Sequence, residues 1–173
     1  MRLSALLFLS ALTLSLQLNA QTDVFEASRS GNIKVLKKLC TKNSDTLSAL
    51  NEHGFSPLIL ATYRNEIKCV NFLLSKNVDA NYISQEGTAL HAACYIGNLE
   101  IATQLIEHGS DVNLSGGRGA SPLIYAVQSK NEELVMLLLE HGADLKVIDE
   151  STRTAYDYAI ALEMPKLAEK LMP

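Results

Sequence analysis

The stretch from Gly87 to Asn113, GTALHAACYIGNLEIATQLIEHGSDVN, constrains this chain most, because the rest of the chain repeats it. Leu90 returns as Leu58, Leu123 and Tyr156, at steps of 32, 33 and 33 residues. A period of that length marks a stack of like units, each too small to bury its apolar face alone and each covered by its neighbours. Within the unit, Thr88 stands at a helix start, Leu90, Ala92, Ala93 and Cys94 follow, and Gly97-Asn98 interrupts before a second run opens at Leu99. This predicts two helices joined by a tight turn. In the second, Leu99, Ile101, Ala102, Leu105 and Ile106 share one arc, and Glu100, Thr103, Gln104, Glu107 and His108 the other. Gly109 ends it, since the residue just past a helix terminus commonly turns left-handed and Gly does so without strain.

Shifting that stretch along the chain divides it into about five units, over 23–50, 51–81, 82–113, 114–146 and 147–173. The first is atypical. Thr22 and Asp23 are placed to cap a helix through Ala27, Ile33 starts another through Leu39, and Lys34, Lys37 and Lys38 supply the polar outer face a terminal unit needs. Thr41 to Leu50 lacks the closing pattern and is expected to be irregular. In the second unit Pro57 suits the first turn of a helix, and Asn77 replaces the terminating Gly, tolerably because Asn also visits the left-handed region. The junction before the third unit is one residue short, which reshapes one loop tip. The Gly116-Gly117-Arg118-Gly119 run lacks the Gly-Lys-Ser/Thr ending of a phosphate-cradling loop and reads as a flexible hairpin tip. Thr152 replaces the turn Gly of the last unit, so that junction is expected to be distorted. Gln104 stands where Phe72 and Leu137 occupy the neighbouring units. Lys166, Glu169 and Lys170 give the last helix a solvated side, as a closing cap requires.

Ser56-Pro57-Leu58, Thr88-Ala89-Leu90-His91, Ser121-Pro122-Leu123 and Thr154-Ala155-Tyr156 resemble the T-P-L-H tetrapeptide of ankyrin repeats. Glu107-His108-Gly109-Ser110-Asp111-Val112-Asn113 and Glu140-His141-Gly142-Ala143-Asp144-Leu145 resemble that family's closing segment. The resemblance implies an all-α ankyrin-repeat solenoid of helix-turn-helix units with short hairpin-like loops, covering residues 21–173.

Residues 1–20 stand apart. Arg2 precedes a Leu-rich run from Leu3 to Leu18 that ends at Leu18-Asn19-Ala20. That pattern reads as a secretory signal peptide, cut after a small residue; the run is short of a spanning helix and diluted by Ser and Thr. An exported protein, periplasmic or secreted and off the membrane after cleavage, is the expectation. Loss of Arg2 takes the formal net charge from −4 to −5. An acidic chain without clustered Lys and Arg is not built to bind the phosphate backbone, so no nucleic acid is expected. An odd count of three cysteines leaves at least one thiol free. Cys40, Cys69 and Cys94 all fall on apolar positions of the repeat, where Cys behaves as a small buried hydrophobe; a disulfide between neighbouring units stays open.

No catalytic constellation emerges, and no cofactor or metal is implied. The resemblance gives His91, last in its tetrapeptide, a structural hydrogen bond. His108 and His141 are equivalent residues in last helical turns, where a cation is favoured. Adjacent helices packed about 8–10 Å apart do not bring two such rings within about 2.1 Å of one zinc. His53 beside Glu52 in a loop tip is the one exposed His-acid neighbour pair, without a nucleophile or pocket in view. Asn113-Leu114-Ser115 is a formal glycosylation sequon, yet Asn113 also matches the closing residue of the unit.

Ankyrin proteins usually bind other proteins through loop tips and the exposed side of each first helix, along one concave face. By register this implies a protein-binding surface of Glu52, His53, Phe55, Tyr63 and Arg64 in the second unit and Ser84, Gln85, Tyr95 and Ile96 in the third. The fourth adds Gly117, Arg118, Gln128 and Ser129, and the last Glu150, Ser151 and Arg153. Phe55, Tyr63, Tyr95 and Ile96 carry most information, because apolar side chains on a polar face are typical of binding hot spots. The alternative for Tyr63 and Tyr95, as equivalent residues, is stacking along the first helices. The expected function is therefore a monomeric, non-catalytic module for an unidentified protein partner. The alternatives are a hydrolytic or redox activity using Glu52-His53 or an exposed Cys, and a self-associating structural protein.

Overall fold

The computed structural model describes residues 24–172, so the leader at 1–20 and the capping pair Thr22 and Asp23 lie outside the described residues. Five helix pairs follow one another. They are α1 (24–29) with α2 (Ile33–Lys42), α3 (Pro57–Tyr63) with α4 (Ile67–Leu74), α5 (Ala89–Ile96) with α6 (Leu99–Glu107), α7 (Pro122–Gln128) with α8 (Glu132–Glu140), and α9 (Ala155–Ala161) with α10 (Pro165–Lys170). The all-helical solenoid expected from the period is what forms. First helices α3, α5, α7 and α9 pack side by side in one row, and second helices α2, α4, α6 and α8 in another.

Local chemistry sets each helix end. Ser56 and Thr88 accept a backbone N–H from three residues on, and Pro57 and Pro122 occupy first turns, where a missing N–H is harmless. Asn32, Asn98 and Asn131 cap α2, α6 and α8 in the same way. Inside each pair the chain reverses through one left-handed residue, at Gly31, Asn65, Gly97, Lys130 and Glu163. Between units, Asn81 Nδ2 donates to the Gly109 carbonyl while its Oδ1 accepts from Asp111 N, and Asn113 repeats this with Gly142 and Asp144. Both ends of the Asn113 amide are thus engaged, which gives that residue its structural task inside the formal sequon.

The core runs the length of the stack. Leu36, Leu58, Leu73, Leu90, Ile101, Leu105, Leu123, Leu134 and Leu138 are fully buried. Truncating one such Leu to Ala ordinarily costs about 2–5 kcal/mol. Lys34, Lys37 and Lys38 are exposed on the outer side of α2, as a terminal unit requires. The cysteines follow their register: Cys69 and Cys94 are buried, Cys40 is half-buried, and all three are free.

Two junctions differ from expectation, and a third shows what its glycines are for. The segment after α2 is not irregular but a 3-10 turn, Ser44–Ser48, that Asn43 caps and that plugs the core with Leu47. The last junction is not distorted: Thr152 takes the left-handed φ of +59° itself, and the hairpin closes through Asp149 N to Arg153 O at 3.0 Å. The glycine run, read as a hairpin tip, lies close against the preceding unit. A Cβ on Gly117 would sit 2.1 Å from the Gln85 carbonyl oxygen and one on Gly116 2.6 Å from the His91 ring, so these glycines let the hairpin lie flat on the preceding unit. Glu150 N donates in turn to Arg118 O at 2.9 Å, tying this hairpin to the next.

Candidate protein-binding face

Hairpin tips and first helices present one face, and its centre is a row of rings. Phe55 meets Tyr63 at 6.4 Å between centroids, Tyr63 meets Tyr95 at 6.3 Å, and Tyr95 meets Tyr125 at 6.2 Å. All three contacts are edge-to-face, the arrangement that sets a ring's positive edge against its neighbour's negative face; each such pair is worth about 0.5–1.5 kcal/mol. Tyr63 and Tyr95 close α3 and α5 at equivalent positions, whereas Tyr125 comes from the middle of α7. The outer rings are half-buried, but Tyr95 is 63% exposed. Stacking and availability therefore coexist: the row orders Tyr95 without covering it.

His91 anchors this row from beneath. Its Nδ1 accepts from Thr88 N at 3.1 Å, so the proton resides on Nε2, which donates to the Ala120 carbonyl of the next unit at 3.2 Å. Its ring also meets Tyr125 edge-on at 5.9 Å. Burial disfavours the imidazolium and lowers the pKa from 6.5 to about 4, against the pull of that carbonyl and of Leu114. The structural hydrogen bond expected of His91 is thus a bridge between the third and fourth units. Burial first, and the Glu86 charge second, push the Tyr63 hydroxyl up to about 12 and raise that of Tyr125. Both remain neutral phenols across the physiological range.

The residues singled out from sequence fall into three groups. His53, Phe55, Tyr63 and Arg64 line one open cleft of about 340 Å³ with Arg29 and Asn51, and Tyr63, Arg64 and Ile96 line a second of about 360 Å³ beside it. Glu52, Gln85, Arg118, Gln128 and Glu150 are exposed along the same side. Glu52 and His53 lie 3.4 Å apart with both side chains open to solvent.

Three others are engaged within the chain. Ser84 is buried: the shortened junction moves it from the tip to the hairpin-closing place held elsewhere by Asn51 and Asp149, where its hydroxyl donates to Gly87 O at 2.8 Å. Its placement as a contact residue is corrected accordingly. Ser129 is half-buried and donates to Ala126 O at 2.8 Å. Arg153 is exposed but lies over the Tyr158 ring at 5.6 Å.

Sequence reasoning missed Tyr125 and Glu86. Tyr125 falls two residues after Leu123, the register place of Leu60 and Ala92, which reads as apolar and inward. Only its size against Ala92 marked it. Glu86 sits at the tip next to Gln85, exposed and unpaired with any Lys or Arg among the described residues. Neither thiol in the core is poised for chemistry: burial, aided by Glu66, pushes Cys69 up to about 11, and burial raises Cys94 further. Among the described residues no group of three or more His, Cys, Asp or Glu side chains could hold a metal ion, and no helix is long and apolar enough to cross a membrane.

Stacked helix pairs, hairpins projecting to one side, and hydrogen-bonded ladders from unit to unit define a helical repeat solenoid. Comparison with known proteins narrows this. The family model described as "Ankyrin repeats (3 copies)" matches residues 24–116 and 90–173, and the chain belongs to the ankyrin-repeat family. It is 34% identical over 119 residues to the rat (Rattus norvegicus) ankyrin repeat and SAM domain-containing protein 6, covering 66% of this chain and 13% of that one. It is 35% identical over 101 residues to the human (Homo sapiens) ankyrin repeat and SOCS box protein 3, covering 56% of this chain and 19% of the other. A match to human transient receptor potential cation channel subfamily A member 1 is 34% identical over 114 residues, 64% of this chain and 10% of the channel subunit. The chain spans less than a fifth of the length of each of these relatives.

Proposed function

We propose that this chain is an exported, non-catalytic interaction module that binds a protein through its hairpin-and-first-helix face, as a monomer and without cofactor or nucleic acid. The observation that carries the reading is the exposure of Tyr95 at the centre of an ordered ring row spanning three units. Held between Tyr63 and Tyr125, the ring loses little conformational freedom on binding, so its burial turns more fully into affinity. Tyr is also among the residues enriched at binding hot spots. Export rests on the leader-like run at residues 1–20.

Chemical cross-linking of the protein in the compartment it reaches, beside a Phe55→Ala, Tyr63→Ala, Tyr95→Ala variant that keeps its helical circular dichroism, tests the reading. A partner captured by the native chain should be lost from the variant. Equal capture by both would move the site away from the rings, and links only between copies of this chain would make it a self-associating protein.

A further inference from the structure

Resting on that reading, we infer that the bound segment is acidic and passes an aspartate or glutamate side chain between the Arg29 and Arg64 guanidiniums, at the head of the ring row. Arg29, Arg64, His53 and Asn51 line the cleft of about 340 Å³ there, beside the Phe55 and Tyr63 rings. The described residues lining it include no Asp or Glu, although the chain as a whole carries a formal charge of −4. Register explains the placement. Arg29, two residues before the left-handed Gly31, holds the place of Tyr63 before Asn65 and of Tyr95 before Gly97. The row of rings therefore ends in a cation. Asn51 spends its Oδ1 on His53 N and Phe55 N, at 3.0 Å and 2.9 Å, which leaves its amide N–H groups to donate. A carboxylate, which only accepts, suits such a set of donors.

The charges around the cleft set the kind of anion. Glu26 lies 3.4 Å from Arg29, and Glu52 lies 3.4 Å from His53, each an exposed acid outside the lining. Arg64 is exposed at the C-cap of α3 and has no ion-pair partner among the described residues. Two guanidiniums against Glu26 leave one positive charge, which a single carboxylate balances; a phosphate brings about −1.5 to −2. The planar guanidinium fork also matches the two oxygens of a carboxylate. Tyr63 and Arg64 line the second cleft as well, together with Ile96, which follows Tyr95. The two clefts thus share a wall, and the segment runs on from the carboxylate toward Tyr95. The anion is accordingly an internal side chain and not a chain terminus.

A displayed library of random peptides, flanked on both sides by fixed linkers and selected on the full-length chain as the cell processes it, tests this. Selected peptides should carry Asp or Glu. Replacing that Glu by Gln, or Asp by Asn, should weaken binding about tenfold. Arg64→Gln should weaken the acidic peptide about as much and leave the amide peptide nearly unchanged, the coupling expected of a direct pair. Lys68→Gln removes the same charge from an exposed position on α4 and should leave both peptides as they were. An equal loss from Lys68→Gln would make the effect one of general surface charge and overturn the inference. Arg64 and Lys68 are both exposed, so neither variant disturbs the core, and thermal melting by circular dichroism checks this. Peptides that need Tyr95 but carry basic or uncharged side chains, or bind Arg64→Gln as well as the native chain, would overturn the inference while leaving the binding face intact. Peptides bound equally by Tyr95→Ala, or no enrichment at all, would overturn both the inference and the proposed face.

Discussion

Acid should uncouple the third unit from the fourth, through one residue. His91 is 1% exposed, and burial lowers its pKa from 6.5 to about 4. Between those values the unfolded chain binds a proton that the folded chain refuses, so stability rises with pH there. The contribution is fully present above about 6.5, shrinks as pH falls, and is lost by about 4. A gap of that width corresponds to about 3 kcal/mol. His91→Gln isolates it, because Gln at this helix position still accepts from Thr88 N as in an ordinary capping box, and it does not titrate. At pH 7 the variant should be less stable by about 1 kcal/mol, the net worth of the lost bond to Ala120 O. Urea unfolding of both proteins from pH 7 down to about 4 reads the difference, since carboxylates common to both cancel. The native chain should lose about 3 kcal/mol more than the variant over that range, and the order of stability should invert. Parallel losses in the two proteins would refute the buried, neutral imidazole.

Two further substitutions test individual strains. Thr152 is a β-branched residue at φ +59°, where a side chain crowds the following carbonyl, so Thr152→Gly should stabilise the chain by about 1 kcal/mol in urea unfolding. The Ser110 hydroxyl is buried with no hydrogen-bond partner, and the equivalent residue one unit on is Ala143; Ser110→Ala should gain about 1 kcal/mol by the same measurement.

The repeat was legible because its signals are local. Caps such as Thr88 and Asn98, the left-handed Gly97 and Asn77, and the apolar arc of α6 all lie within a few residues of what they govern. What escaped is set by neighbouring units. Gly116 and Gly117 are glycines because His91 and Gln85 lie against them, and nothing inside the tetrapeptide shows that. Leu47 belongs to a plug without counterpart among the other described residues, so no register could place it. Ser84 moved from tip to interior through a deletion whose site within the hairpin the repeat leaves open. Tyr63 and Tyr95 could be found as equivalent residues, but their joining to Tyr125 depends on how α5 and α7 pack.

The central claim is that a protein ligand meets the ring row and not the second-helix row. Its most direct test places photo-reactive p-benzoylphenylalanine at Tyr95, and separately at Glu100, which is exposed on α6 of the same unit. Irradiation in the compartment the protein reaches should give a covalent adduct with a second protein from position 95 and none from position 100. Adducts from position 100 alone, or equally from both, would contradict the account.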